Sequence, residues 1–342
     1  MNWKNQKQIK FMASQPRIFE LMAVPQERHD IAWLVESIRE AIKVEFATMP
    51  PYLTATWSIK EAFNPVATSI RDIVKEEMLH MAIMCNLLVA LGETPSLNTD
   101  EGVPTFPGPL PGGINPTLVV PLRGLNREGV RIFMEIELPE GGPVAFADTF
   151  PTIGAFYSAI LDAFVSLNPP LDTTRQLEGP LGLKKIATLA DVQNGIKLIV
   201  HQGEGSQESP EDTGPGDLAH YYRFGEIYHG KKMLKDSSTG RWDFIGAEVP
   251  FPDAWPMADV PVGGYRQTDV PDATVWQLIE EFDRNFTTML DHLQAAWMLG
   301  SLSELSTAII TMFTLQDPAV SLMQKPLPNG NGNYGPCFRL LR

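Results

Sequence analysis

Cysteine is almost absent from this sequence. Among 342 residues only Cys85 and Cys337 are cysteines. Two thiols that far apart in the chain can build neither a disulfide framework nor a thiolate metal cluster, so the sequence excludes both classes of protein. This scarcity is typical of a protein that works in a reducing compartment.

Long apolar runs are also missing. The opening stretch MNWKNQKQIKFMASQ lacks the continuous apolar core of a signal peptide. No later segment reaches the roughly 20 apolar residues that a membrane span needs. Together with the scarcity of cysteine, these features predict a cytoplasmic protein without a membrane partner.

Basic residues are too few to balance the acidic ones. The chain has 27 Lys and Arg residues against 41 Asp and Glu residues, which gives a formal net charge of -14. A chain of this charge is repelled by the phosphates of nucleic acids and by anionic membrane surfaces. We therefore expect neither as a partner, and a small molecule becomes the expected ligand.

The apolar periodicity predicts an all-α fold. The sequence contains no internal repeat and no low-complexity linker, so we expect a single domain over residues 1–342. Long Pro- and Gly-rich connections separate the helices, and residues 98–151 are predicted to be an irregular insertion. The predicted core helices cover about 30–60, 66–91, 188–203 and 217–235, and the C-terminal helices cover 272–315.

Ionisable side chains lie on the apolar faces of the first two predicted helices. Glu45 is in phase with Ile38 and Ile42, and it should therefore point into the core. On the next helix, Glu77 and His80 share an apolar face, and their spacing of three residues brings both within reach of one point. A lone buried carboxylate is costly. These residues therefore predict one half of a dimetal site in the core of a helix bundle.

The later helices offer the other half of such a site. Glu204 follows in phase after the apolar residues of IKLIVHQGEG. The stretch DLAHYYRFGEIYHG contains two pairs with a spacing of three residues, Asp217 with His220 and Glu226 with His229. At 100° per residue the two pairs project in roughly opposite directions, so only one can face the site. The side that carries His220 is the more apolar, which favours Asp217 and His220.

The predicted donor set indicates hard to borderline metal ions. Any single Glu-x-x-His motif is common by chance, but the repeated pattern on apolar faces favours a metal site. Four carboxylates and two imidazoles suit iron or manganese better than zinc. Two divalent ions would also neutralise four buried carboxylates, which explains their burial. The predicted ligands are Glu45, Glu77, His80, Glu204, Asp217 and His220.

Several motifs resemble one known family. VEFATMPPYLTA, KEEMLHMAIMCNLLVALG, QGEG and HYYRF are similar to the ferritin-like domain of the violacein-pathway iminophenyl-pyruvate dimer synthases and their uncharacterised relatives. The likeness runs from about residue 30 to GPCF near the end of the chain. It implies a ferritin-like four-helix bundle with extra helices and the same metal-site residues. Asp217 stands where the relatives tend to have Glu, which makes its side chain one methylene shorter.

The pattern and the resemblance together predict a non-haem dimetal enzyme with two iron ions, and manganese is the alternative metal. We expect an oxidase or oxygenase that acts on a small organic substrate in secondary metabolism. The resemblance suggests imines derived from aromatic amino acids. A second copy of the chain or a pathway enzyme is compatible as a partner. The alternative is an iron-handling protein without turnover, although the long Pro- and Gly-rich connections favour the walls of a substrate pocket.

Overall fold

The computed structural model describes residues 17–139, 152–204, 209–211 and 217–342, and of Glu204 it describes the backbone alone. The α-helices in these residues are α1 (Arg17–Met22), α2 (Ile31–Ser58), α3 (Pro65–Ala90), α4 (Arg127–Ile136), α5 (Ile153–Leu167), α6 (Leu189–Glu204), α7 (His220–His229), α8 (Ala273–Leu299), α9 (Leu302–Phe313) and α10 (Gln316–Met323). Short 3₁₀ helices cover Gln26–Arg28, Pro111–Gly113, Pro180–Gly182 and Gln267–Asp269. Two antiparallel pairs are formed by the strands β1 (Gly108–Pro109) with β2 (Val119–Val120) and β3 (Leu234–Lys235) with β4 (Trp242–Asp243).

Side-chain caps fix where the two longest helices of the bundle begin. The carboxylate of Asp30 accepts a hydrogen bond of 2.8 Å from the backbone N–H of Trp33 and so caps α2. Asn64 caps α3 in the same way, and Pro65 occupies the first helical position, where its missing N–H costs nothing. After α3 the chain turns at Gly92, whose φ of 85° favours glycine.

The core of the molecule is built by helices packed on helices. α2 packs against α3, α6 and α7 lie on α3, α4 packs on α7, and α5 packs on α6. Ile38 and Ile42 are buried, as their phase in α2 predicts. These contacts confirm the all-α fold. None of the described helices is both long and apolar enough to cross a membrane.

The C-terminal helices form a second layer beside α2 and α3. α8 packs against α9 and α10, and α10 also contacts α2. The indole N–H of Trp297 in α8 donates a hydrogen bond of 3.0 Å to Asn86 in α3, which ties the layer to the bundle. Near the chain end, Phe338 stacks on Trp57 of α2. The helices predicted over 272–315 thus correspond to α8 and α9.

Two elements differ from the prediction. The predicted irregular insertion covers residues 98–151, of which 140–151 lie outside the described residues, and its described part contains α4, which buries Val130 and Phe133. The helix has only ten residues and its flanks are rich in Pro and Gly, so the sequence does not show a clear apolar periodicity there. The helix predicted over 217–235 is shorter, because α7 begins at His220 and ends at His229, where Gly230 follows with a φ of 73°.

Candidate metal centre

Five ionisable side chains from four helices meet inside the bundle. Glu45 comes from α2, Glu77 and His80 from α3, Glu137 caps the C-terminus of α4, and His220 begins α7. All five are buried. Their oxygen and nitrogen atoms form two groups, each with all atoms within 4.8 Å of one another: Glu45 with Glu77 and His80, and Glu77 with Glu137 and His220. Glu77 belongs to both groups.

The distances in the cluster suit metal coordination. Nδ1 of His80 lies 3.5 Å from Oε2 of Glu45 and 3.8 Å from Oε1 of Glu77. Nδ1 of His220 lies 2.7 Å from the same Oε1 of Glu77 and 3.6 Å from Oε2 of Glu137. Ligand atoms that share one ion at about 2.1 Å lie roughly 3 to 4 Å apart. One oxygen of Glu77 therefore faces both imidazoles.

Buried hydroxyls hold the three carboxylates in place. Each carboxylate accepts a hydrogen bond from a hydroxyl through one oxygen, and its other oxygen faces an imidazole. The pairs are Tyr157 with Glu45, Thr48 with Glu77 at 3.0 Å, and Tyr52 with Glu137 at 2.6 Å. The Thr48 hydroxyl is shared, because it also lies 2.8 Å from the backbone carbonyl of Glu45. Thr48 and Tyr52 follow Glu45 along α2 at spacings of three and seven residues, so they lie on the same face of the helix.

Both imidazoles are oriented from outside the cluster. Nε2 of His80 donates a hydrogen bond of 2.8 Å to Oε1 of Gln202 in α6. Nε2 of His220 donates one of 2.7 Å to Glu76, which also accepts a bond of 2.6 Å from Arg223. With its proton on Nε2, each ring presents the lone pair of Nδ1 to the carboxylates. Such outer partners commonly set the orientation of metal-binding histidines.

A buried atom without a hydrogen bond tests whether a metal fits. Within the described part of the chain, Nδ1 of His220 has no hydrogen bond of acceptable geometry, although Oε1 of Glu77 is 2.7 Å away. When the imidazole is neutral, both atoms offer lone pairs, and only a cation between them, either a metal ion or the extra proton of a charged imidazole, makes their approach favourable. Carboxylate and imidazole donors match iron or manganese. The residues present therefore fit a metal.

The pKa values of these groups reflect the crowding of negative charge. Burial, followed by the charge of Glu137, raises the pKa of Glu77 to about 8. Burial lowers the pKa of His220, but the neighbouring carboxylates outweigh it and hold the pKa well above its ordinary value. Burial and adjacent carboxylates also raise the pKa values of Tyr52 and Tyr157, so both hydroxyls remain hydrogen-bond donors. Protons and metal ions thus compete for the same cluster.

Four of the six predicted ligands are brought together, namely Glu45, Glu77, His80 and His220. Asp217 is not among them, because it is exposed and precedes the first turn of α7. The N–H of Ala219 bonds to the carbonyl of Pro210, so this stretch is not helical and the assumed spacing of three residues does not apply. The side chain of Glu204 lies outside the described residues.

The rejected pair lies away from the cluster. Glu226 is buried, but it pairs with Lys232 at 2.6 Å, and His229 is exposed and stacks on Phe244. The sequence pattern missed Glu137. Its signal was the one that identified Glu45, an acid in helical phase with buried residues, here Val130 and Phe133 at spacings of seven and four.

One small cavity borders the cluster, and a larger cleft lies beyond the residues that orient the two imidazoles. A cavity of about 30 Å³ is lined by Glu45, Tyr157 and Gly203, and it has room for molecules of about the size of water. An open cleft of about 970 Å³ is lined by Glu76 and Gln202, which orient the two imidazoles. The small cavity thus reaches the cluster itself, whereas the cleft reaches only the outer partners of its imidazoles.

The comparison with protein families identifies the class of this protein. The family model described as Ferritin-like matches residues 38–229, which is more than half of the chain and includes every residue of the cluster. The chain belongs to the ferritin-like family. This confirms the ferritin-like fold that the sequence motifs imply.

Two individual proteins are similar over most of this chain. The dichlorochromopyrrolate synthase of Lentzea aerocolonigenes is 25% identical over 383 residues, which cover 90% of this chain and 36% of the relative. The chain thus spans about a third of the length of that enzyme. The crystal structure of a ferritin like protein from Caulobacter vibrioides superposes with a TM-score of 0.62 at 21% identity, and the match covers 92% of this chain and 99% of that chain. This second likeness supports the fold alone.

Proposed function

We propose that this protein is a non-haem diiron enzyme, an oxidase or oxygenase that acts on a small organic substrate in secondary metabolism. The observation that carries the proposal is that two carboxylate–imidazole groups share Glu77. A site for one ion needs one such group, whereas two adjacent ions are commonly held in a helix bundle by carboxylates and imidazoles from facing helices. Manganese would suit the same donors.

The described residues suffice to hold two ions. Glu45, Glu77 and His80 would hold one ion, and Glu77, Glu137 and His220 would hold the other. Glu204, the last residue of α6, stays a candidate ligand. Iron in this site would supply the electrons for the reduction of dioxygen, which is the chemistry that the side chains of a protein lack.

The chain itself would contribute orientation and the exclusion of water. The hydroxyls of Thr48, Tyr52 and Tyr157 hold one oxygen of each carboxylate, so the other oxygens are fixed before a metal binds. The cavity of about 30 Å³ suits a diatomic gas or water and is too small for an organic substrate. The open cleft that Glu76 and Gln202 line suits the substrate.

The comparisons support the reaction class by analogy. The relative from Lentzea aerocolonigenes is a synthase of dichlorochromopyrrolate, and the motifs of this chain resemble the violacein-pathway dimer synthases. We therefore propose imines derived from aromatic amino acids as the first substrates to test. Because this chain spans 36% of the relative, the assignment of the substrate rests on the similarity of one region.

Oxygen consumption by the iron-loaded protein tests this function. The ferrous protein is mixed with dioxygen in a stopped-flow instrument, with and without imines generated in place by an amino-acid oxidase. We expect faster oxygen consumption by the iron protein in the presence of the imine, together with a new organic product. The auxiliary amino-acid oxidase itself consumes oxygen and produces peroxide. Added catalase removes the peroxide, and a control without this protein measures the oxygen that the auxiliary enzyme consumes.

Two results would contradict the proposal. Uptake of many iron atoms per chain without a substrate effect would favour the iron-handling alternative. A dimetal protein that stays inert to oxygen with every imine tested would exclude this reaction class. The variant Glu128→Gln is a suitable control, because this exposed carboxylate pairs with Arg131 and lies outside both the metal cluster and the cleft.

A further inference from the structure

An apolar cavity lies on the far side of α2 and α3 from the metal cluster. It has a volume of about 110 Å³ and is bounded by α2 and α3 on one side and by α8 and α9 on the other. Phe46 and Met49 line it, whereas their neighbours Glu45 and Thr48 belong to the cluster. The two sites are therefore separate and lie back to back across the same helix pair.

Among the residues that the structure describes, no side chain lining the cavity has a free hydrogen-bonding group. Apart from one indole N–H, these side chains are wholly apolar. The single polar group among them, the indole N–H of Trp297, donates to Asn86 in α3. Water needs two to four polar partners to occupy a buried space, so the inner part of this cavity holds water poorly. A ligand there must bring an apolar surface and leave no polar group buried.

The volume of the cavity and the methionines that line it indicate the class of ligand. A dry apolar cavity of about 150 Å³ binds benzene in a well-studied case from another protein, so about 110 Å³ is of the right order for one small ring. Methionine side chains are flexible and adapt to the shape of a ligand, and their sulfur atoms make favourable contacts with aromatic rings. Five methionines line this cavity: Met49, Met78, Met81, Met289 and Met312.

Leu181 lies between this cavity and the open cleft. Leu79 and Leu181 line both spaces, and the side chain of Leu181 is 49% exposed. The φ of Leu181 is 55°, a left-handed conformation that is unfavourable for leucine. Strain of this kind is commonly found where a side chain controls access to a ligand.

We propose that the apolar cavity binds the uncharged, benzene-sized part of a small organic molecule, which enters past Leu181. This site goes beyond the proposed oxygen chemistry and requires no metal. The two proposals can therefore fail independently.

Titration of the full-length protein with benzene, followed by calorimetry, tests the site directly. We expect saturable binding of one benzene per chain, equal in protein treated with a chelator and in protein loaded with metal. Phenol should bind at least tenfold more weakly, because its hydroxyl would be buried without a partner. The absence of saturable benzene binding, or equal affinity for phenol, would overturn the proposal.

A filling variant locates the binding. Ala82 of α3 lines the cavity, so Ala82→Phe should place a ring inside it and reduce benzene affinity at least tenfold. Ala190→Phe is the matched control, because Ala190 is exposed in the first turn of α6 and should leave affinity unchanged. If Ala82→Phe does not fold, the smaller change Ala308→Leu fills the cavity from α9. Undiminished binding in the folded filling variant would place benzene elsewhere and contradict the proposal.

The residue at the mouth can be tested separately. Leu181→Gly relieves the left-handed strain and removes the side chain between the two spaces. We expect the variant to be at least as stable as the parent and to release benzene several-fold faster, measured by NMR line shape. Crystals under xenon pressure should hold xenon between Phe46 and Trp297. An unchanged rate of benzene release would refute the entry path past Leu181. Xenon bound only outside this cavity would refute the site itself.

Discussion

Glu76 accepts a hydrogen bond of 2.7 Å from Nε2 of His220, and this bond turns Nδ1 of the same ring towards Glu77 and Glu137. Glu76 and Glu77 are adjacent in α3, yet one carboxylate holds the outer edge of the imidazole and the other faces its inner edge. The carboxylates of two consecutive residues thus define both the tautomer and the direction of one histidine.

Metal content should reveal the shared carboxylate. Protein expressed with abundant iron should contain about two ions per chain, by elemental analysis and native mass spectrometry. Glu77→Gln should lose both ions, because Glu77 belongs to both groups. Glu45→Gln and Glu137→Gln should each retain about one. Equal loss in all three variants, or full content in Glu77→Gln, would refute the sharing of Glu77, and Glu226→Gln should keep both ions.

Removing Glu76, the outer partner of His220, should weaken the binding of one of the two metal ions. Glu76→Ala should lower the affinity for that ion about 10- to 100-fold, because the imidazole loses its fixed orientation. Glu76→Gln keeps an oxygen that accepts the Nε2 proton and should retain most of the affinity. Competition with a coloured chelator measures both. The matched control is Glu128→Ala, which removes an exposed carboxylate paired with Arg131. If Glu76→Gln and Glu76→Ala lose the same amount of metal affinity, the hydrogen bond from His220 is not the cause of the loss.

The metal-free protein should become less stable as the pH rises towards 8. Burial, then the charge of Glu137, raises the pKa of Glu77 from its ordinary value of 4.5 to about 8 in the folded state. Between these two values the folded protein holds a proton that the unfolded chain has released, so the free energy of unfolding falls as pH rises. Urea unfolding from pH 5 to 9 in the presence of a chelator measures the trend.

The variant Glu77→Gln isolates this effect, because it cannot ionise at that position. The difference in unfolding free energy between the parent and Glu77→Gln should move steadily in favour of the variant up to about pH 8 and then level off. A difference that is independent of pH would mean that Glu77 ionises normally in the folded protein.

Loss of one hydroxyl should destabilise the cluster. Tyr52→Phe removes the donor that holds Oε1 of Glu137, and a buried carboxylate oxygen without a partner costs about 1–3 kcal/mol. Tyr221→Phe, at a half-buried ring beside Tyr222, should change stability by less than about 0.5 kcal/mol. Chemical denaturation of both variants gives the comparison, and equal effects would rule out a specific role for the bond.

The sequence predicted the part of the site that lies on long helices. Glu45, Glu77 and His80 sit in helices of 28 and 26 residues, where many turns establish which face is apolar. The same argument favours His220, which lies on the more apolar side of its helix. Asp217 lies outside the cluster because the helix begins at His220, and helix starts are hard to locate when no capping side chain marks them.

Glu137 is harder to predict from the sequence than the ligands on the long helices. Its helix has ten residues, and its face is defined by few turns. Its position beside His220 depends on the packing of α4 on α7, a contact between segments about 90 residues apart that the local pattern does not encode. The outer partners Glu76 and Gln202 were missed for the same reason, since each is recognisable only from what it touches.

Because four helices converge on one cluster, local opening of the protein would depend on whether the cluster holds its metal. α4 and α7 have ten residues each, and helices of this length depend on tertiary contacts. Bound ions would bridge both to α2 and α3, and so would slow local opening of these two segments. Chains that have not acquired their metal would open there first and reach proteases sooner. The occupancy of the cluster would then set the lifetime of each copy, and the cell would retain mainly the loaded protein.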